Sequence, residues 1–199
     1  LRAGDLAHIG EVAAARRDAR QLLLVDQADQ ARPAVPVAGA EHVRRVGNLV
    51  NGSSLLGLAV ARLGRTTLRP GERGLLLAEG YRFDFPRAGA FTVGNVIVTA
   101  GDFRGLVEVH PDVMDHENTH AWQYFWCGGL PFLPLYVAAA GWSWLRTGDP
   151  ASANFFERRA GLLRGGYHQA PTNNAGFRRL ARRVQTLIEK PSRLAERSL

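Results

Sequence analysis

Two histidines and a glutamate in the middle of the chain, within His116-Glu117-Asn118-Thr119-His120, have the types and spacing of a metal site. On an α-helix, residues four apart leave the same face one turn apart. Two neutral imidazoles so placed can offer ring nitrogens to one tetrahedral zinc ion. Glu117 sits beside the first of them and points partly around the helix. It can reach a water at the metal without being a ligand, and as general base it would take that water's proton. Catalytic zinc usually takes three protein ligands plus water, so another side chain must join. Gln123 and Trp126 stand where a His-x-x-Gly-x-x-His extension needs glycine and histidine, which excludes that class. A glutamate from a later helix is the other common solution. Glu157 fits best, in a stretch made apolar on one side by Phe155, Phe156 and Ala160. His168, Asp149 and His110 are weaker candidates, and an ion pair with Arg158 or Arg159 is the ordinary alternative for Glu157.

These residues need helices to carry them and a sheet to pack on. Asp112 can cap the motif helix, and Asp115 suits the positive end of its dipole. Val113, Met114, Ala121, Trp122, Tyr124 and Phe125 make it apolar on more than one side. Upstream, residues 66–69 and 75–79 read as strand, turn, strand around Pro70-Gly71. Residues 81–85 alternate strictly up to Pro86, and residues 91–99 form the most β-branched run. They predict an α+β fold, with a small, mostly antiparallel sheet ahead of the motif helix and a glutamate helix downstream. Residues 96–99 are the candidate edge for an extended substrate by strand addition, or else an interior strand.

The remaining segments read as helices and connectors. Residues 48–64 predict one buried helix, capped at Ser53 or Ser54 and stopped by Gly64. Residues 125–145 carry no charge, but Gly128-Gly129 and two prolines break the run. The unbroken part is too short to cross a bilayer, leaving a core helix or a membrane-contacting segment. A helix is expected around 152–160 and a basic amphipathic helix over 177–189, with fraying past Pro191. Residues 1–30 read as a polar helix and 32–39 as a linker. The chain therefore divides into a peripheral arm (1–45), a metal-binding domain (46–170) and a basic helical tail (171–199).

Composition bounds the partners. The formal net charge is +7, and Lys190 is the one lysine among 25 basic residues. Such a surplus suits a solvated basic surface, and no nucleic-acid recognition motif accompanies it, so no nucleic acid is expected. Cys127 is the single cysteine, which rules out an internal disulfide. Residues 1–20 lack the layout of a signal peptide, so the expected location is cytoplasmic.

A resemblance adds to this reading. The run His116-Glu117-Asn118-Thr119-His120-Ala121-Trp122-Gln123-Tyr124, then Leu130-Pro131-Phe132-Leu133-Pro134-Leu135-Tyr136, then Asn154-Phe155-Phe156-Glu157-Arg158-Arg159-Ala160, resembles the gluzincin type of zinc metallopeptidase. In size the chain is similar to the small single-domain minigluzincins, and the runs resemble a group of uncharacterised bacterial proteins. The resemblance covers residues 47–167. It implies a zincin-like core, Zn2+ held by His116, His120 and Glu157, Glu117 as catalytic base, and a peptide or protein substrate. By chain position, Tyr167 and His168 are the candidates for stabilising an oxyanion. The rival expectation is not catalytic. There a metal, its fourth position closed by His168, Asp149 or Cys127, staples two helices, and residues 125–145 with the basic tail bind a membrane surface or a protein partner.

Overall fold

The computed structural model describes residues 39–84 and 89–195. The helix expected over residues 1–30 and the linker up to residue 38 lie outside the described residues. Among the described residues the fold is α+β, with seven α-helices and a four-stranded sheet. The strands are β1 (Thr67–Pro70), β2 (Leu76–Glu79), β3 (Ala90–Val93) and β4 (Val96–Thr99), in the spatial order β1-β2-β4-β3. The pairs β1–β2 and β3–β4 are antiparallel, while β2 and β4 run parallel. The sheet is therefore mixed.

The expected edge at residues 96–99 is corrected: β4 is interior, and β1 and β3 are the edges. Every residue of β4 is buried. Val96 and Val98 pack with Ala61 on one face, and Ile97 packs with Leu77, Phe103 and Ala121 on the other. An unbroken β-branched run is what a strand covered on both faces requires. Nor is residues 91–99 one strand. It folds back at Gly94-Asn95, which leaves Val93 opposite Val96. Gly94 has φ +64, and a Cβ there would lie 2.4 Å from the Ser54 nitrogen. A two-residue Gly-Asn connection is itself a hairpin signal. The expected strand at 81–85 is also absent from the described residues 81–84. There Tyr81 packs edge-on against Phe83 and Phe91.

The helix expected over 48–64 is two, α1 (Ala40–Val50) and α2 (Ser53–Leu63), the latter ending on Gly64. The break falls at Asn51, whose Oδ1 accepts from the Ser53 backbone N–H and hydroxyl at 3.1 and 2.7 Å. Such a local bond competes with helix continuation. Helix α1 is inverted: it buries Arg44 and Asn48 and leaves Val43, Val46 and Leu49 exposed. Arg44 donates to Asn95 Oδ1 and to the Arg73 carbonyl, and its guanidinium lies over the Trp122 ring. Asn48 donates to the Ala121 carbonyl at 2.8 Å. Asn95 in turn donates to Ser54 Oγ and the Arg45 carbonyl at 2.9 and 3.0 Å. One polar network thus ties α1 and α2 to the hairpin and to the helix bearing Ala121.

Four further helices follow the sheet in sequence, and a fifth ends the described chain. They are α3 (Phe103–Val109), α4 (Val113–Trp126), α5 (Phe132–Thr147), α6 (Phe155–Ala160) and α7 (Ala175–Ala195). Helix α3 had no sequence expectation. Asp102 caps it, accepting from the Gly105 N–H at 2.8 Å. Helix α7 continues through Pro191, beyond the expected end at 189.

Candidate metal centre

Helix α4 carries the motif, and it buries His116, Glu117, His120, Gln123 and Tyr124. Asp112 occupies the N-cap position without a side-chain cap bond; its carbonyl accepts from the Asp115 and His116 N–H groups instead. Tyr124 and Phe132 meet at 4.4 Å between ring centroids, which docks α5 on α4. The chain then returns through Asp149, whose Oδ2 accepts from the Ala151 and Ser152 N–H groups and from the Ser152 hydroxyl. Asn154 caps α6 by accepting from the Phe156 N–H at 3.0 Å. Glu157, in the first turn of α6, is delivered against α4.

His116, His120 and Glu157 are all buried, and one ligand atom from each lies within 4.8 Å of the others. Among the described residues they are the group of three His, Cys, Asp or Glu side chains that can hold a metal ion. Nε2 of His116 is 3.3 Å from Glu157 Oε2, and Nε2 of His120 is 3.6 Å from Oε1. The two Nε2 atoms are 3.0 Å apart. Each ring is held by its other nitrogen. The Nδ1–H of His116 donates to the Gly161 carbonyl at 3.0 Å, and that of His120 to Gln123 Oε1 at 2.8 Å. Gln123 Nε2 donates onward to the Phe156 carbonyl at 2.9 Å. Such outer bonds fix the tautomer and leave Nε2 as a lone pair for a metal. Glu157 Oε2 is buried with no hydrogen-bond partner. Two lone pairs and an unpaired buried carboxylate oxygen converging on one point fit a divalent cation.

The charges respond to this crowding. Burial alone would lower the pKa of His120, but the bond and charge of Glu157 outweigh it and raise it to about 9. Burial would raise that of Glu157, and the close imidazoles of His116 and His120 overturn this, holding the carboxyl well below the usual range. Burial first, then the Glu157 charge, pushes the Tyr136 and Tyr167 phenols far up, so both stay protonated.

Other side chains surround the cluster that the sequence did not single out. Thr92, on edge strand β3, donates its hydroxyl to Glu117 Oε2 at 2.7 Å. Tyr136 on α5 donates its hydroxyl to Glu157 Oε1. Gly165 lies so close to His116 that a Cβ would be 2.6–2.8 Å from the imidazole ring. A cavity of about 450 Å³ joins these groups; Thr92, Glu117, His120, Tyr136, Glu157 and Tyr167 all line it. Much of the rest of its wall is apolar, including Phe91, Phe132, Leu133 and Val137. A larger hollow of about 610 Å³, between β1 and α3, does not include the cluster.

The weaker ligand candidates stand elsewhere. Asp149 anchors the turn before α6, and the His168 carbonyl accepts from Ser152 Oγ at 3.1 Å. The ring of His110 abuts Gly166. Cys127 is the C-cap of α4, and burial pushes its thiol pKa up. No protein family, no curated protein and no solved structure matches the chain.

Proposed function

We propose that the chain is a zinc-dependent hydrolase, most directly a metallopeptidase of gluzincin type with a zincin-like core. The observation that carries this reading is the convergence of His116 Nε2, His120 Nε2 and the unpaired Glu157 Oε2, with Glu117, His120 and Glu157 lining one cavity. Zinc held by those three residues would polarise a scissile carbonyl and acidify water. Glu117 is the general base. It takes the proton of the attacking water and passes it to the leaving amine. Thr92, donating to Oε2, fixes the carboxylate and leaves Oε1 to receive that proton. Tyr167 keeps its phenolic proton and lines the same cavity, so it is the donor for a developing oxyanion, while the Tyr136 O–H is already given to Glu157 Oε1. His168, the other candidate by chain position, is not part of the cavity wall.

The staple reading calls for a closed fourth position. Among the described residues, neither His168, Asp149 nor Cys127 joins the three ligand atoms, which favours the hydrolase. Elemental analysis of the purified chain beside His116→Ala and Glu117→Gln tests both. We expect one zinc per chain, lost in His116→Ala and kept in Glu117→Gln, with peptide hydrolysis lost in both. Zinc-free protein after incubation with zinc would end the metal reading, and unimpaired hydrolysis by Glu117→Gln would end the mechanism.

A further inference from the structure

No residue between Phe125 and Leu145 is charged, and α5 turns much of that apolar run outward. Leu133, Leu135, Val137 and Trp142 are exposed, Val137 to 68% and Trp142 to 56%. Helix α7 lies against the second half of α5. Gly176 abuts it so closely that a Cβ would be 2.2 Å from the Trp144 carbonyl. Trp142 meets Phe177 edge-on at 6.4 Å, which joins the outer faces of the two helices. Phe177, Leu180, Val184 and Leu187 recur at helical spacing on one side of α7, and all four are exposed. Arg178, Arg179 and Arg182 lie on the opposite side of the helix, Arg183 lies at one edge of the stripe, and all four are exposed. No acidic residue occurs from 164 to 187. Arg146 adds a guanidinium 5.7 Å above the Trp142 ring.

We propose that this face docks on the surface of an anionic lipid bilayer, with α5 and α7 lying in the interface. Charge complementarity selects the occupant. A bilayer surface offers an apolar layer to the stripe and, at the level of the helix, a sheet of phosphates that long arginine side chains on the polar side can reach. Exposed tryptophan suits the headgroup level. Among the described residues no helix is long and apolar enough to cross a membrane, which agrees with lying on the surface. Leu135 and Trp142, seven residues apart, share one side of α5, while Leu133 and Val137 lie around the helix from them and line the cavity that holds His120 and Glu157. The docking does not rest on the hydrolase reading.

Co-sedimentation of the full chain with vesicles tests it, using phosphatidylcholine alone and phosphatidylcholine mixed with phosphatidylglycerol. Binding to the mixed vesicles alone is expected, weakening steeply toward about 1 M salt, where screening reaches about 3 Å. Reversing Arg178, Arg179, Arg182 and Arg183 to Glu should lower the partition coefficient by about 100-fold or more. Glu117→Gln should bind vesicles like the parent, so loss of hydrolysis and loss of docking are separable. Trp142→Ser with Phe177→Ser should also bind weakly. Should that variant unfold, quenching of the parent's tryptophan fluorescence by brominated lipid decides instead. Equal binding to neutral vesicles, no binding to either, or indifference to arginine reversal would overturn the proposal. So would a solution dimer that Trp142→Ser dissociates, which would make the face a contact between copies.

Discussion

With Nδ1 of both histidines donating, the two Nε2 lone pairs face each other across 3.0 Å, and a proton or a cation must lie between them. The metal-free chain therefore carries a measurable pH signature. Burial opposes the charge on His120, yet Glu157 raises its pKa from 6.5 to about 9. A raised value stabilises the fold fully below the unfolded pKa and is lost as pH rises through the folded one. The depressed pKa of Glu157 acts oppositely, stabilising above 4.5 and failing in acid. With chelator present, the melting temperature should be highest between about pH 4.5 and 6.5 and should fall from pH 6.5 to 9. A flat profile over that upper window would exclude the shared proton. Thr92 gives a second prediction. Thr92→Val keeps the volume and removes the donor to Glu117, so zinc content should hold while kcat drops about tenfold. An unchanged kcat would mean Glu117 needs no anchor. The three converging side chains were legible because i, i+4 spacing and the three-ligand rule name them. Thr92, Tyr136 and Gly165 were not, being common residue types that only the folded chain brings to the motif.

At the level of elements, the first two strands were legible, residues 81–85 misled and the last two strands read as one. Residues 91–99 read as one strand because every position but Gly94 and Asn95 favours β structure, and those two make the turn. Parallel pairing of β2 with β4 follows once β3 folds to the outside, a non-local choice that periodicity does not encode. Helix α1 misleads in another way. Its buried face is the polar one, because Arg44 and Asn48 meet partners from the hairpin and α4. Asn95→Ala should therefore cost about 3 kcal/mol, since it strips a buried guanidinium of its acceptor. Urea denaturation would measure this. A loss below about 1 kcal/mol would show that Arg44 finds another partner.

Across the whole molecule, the ligands come from α4 and α6, with α5 between them in sequence, so metal binding links distant segments into one cooperative unit. Free zinc at about 100 times Kd should stabilise the chain by about 2.7 kcal/mol and raise the melting temperature by several degrees. His116→Ala should melt at one temperature with or without zinc. A zinc-induced rise that persists in that variant would place the ion elsewhere. The α+β class was readable from the switch between a period of two and a period near four along the chain. The periodicity of residues 177–189 already indicated a basic amphipathic helix, but not that α7 packs its Phe177 against Trp142 of α5, which only the folded chain brings together.

Gln123 has a consequence for how such a chain can drift in sequence. It holds no metal position, yet its oxygen takes the His120 Nδ1–H and its nitrogen serves the Phe156 carbonyl, next to Glu157. Of side chains with that reach, a carboxamide offers an acceptor and a donor together. Glutamate would keep the first bond and lose the second, and leucine would lose both. Inheritance of a working site should therefore carry a longer signature than its five-residue core. That signature is His-Glu-x-x-His-x-x-Gln, then an asparagine-capped Phe-Phe-Glu. A descendant with the core but not the glutamine would keep its imidazoles without the bond that aims the second one.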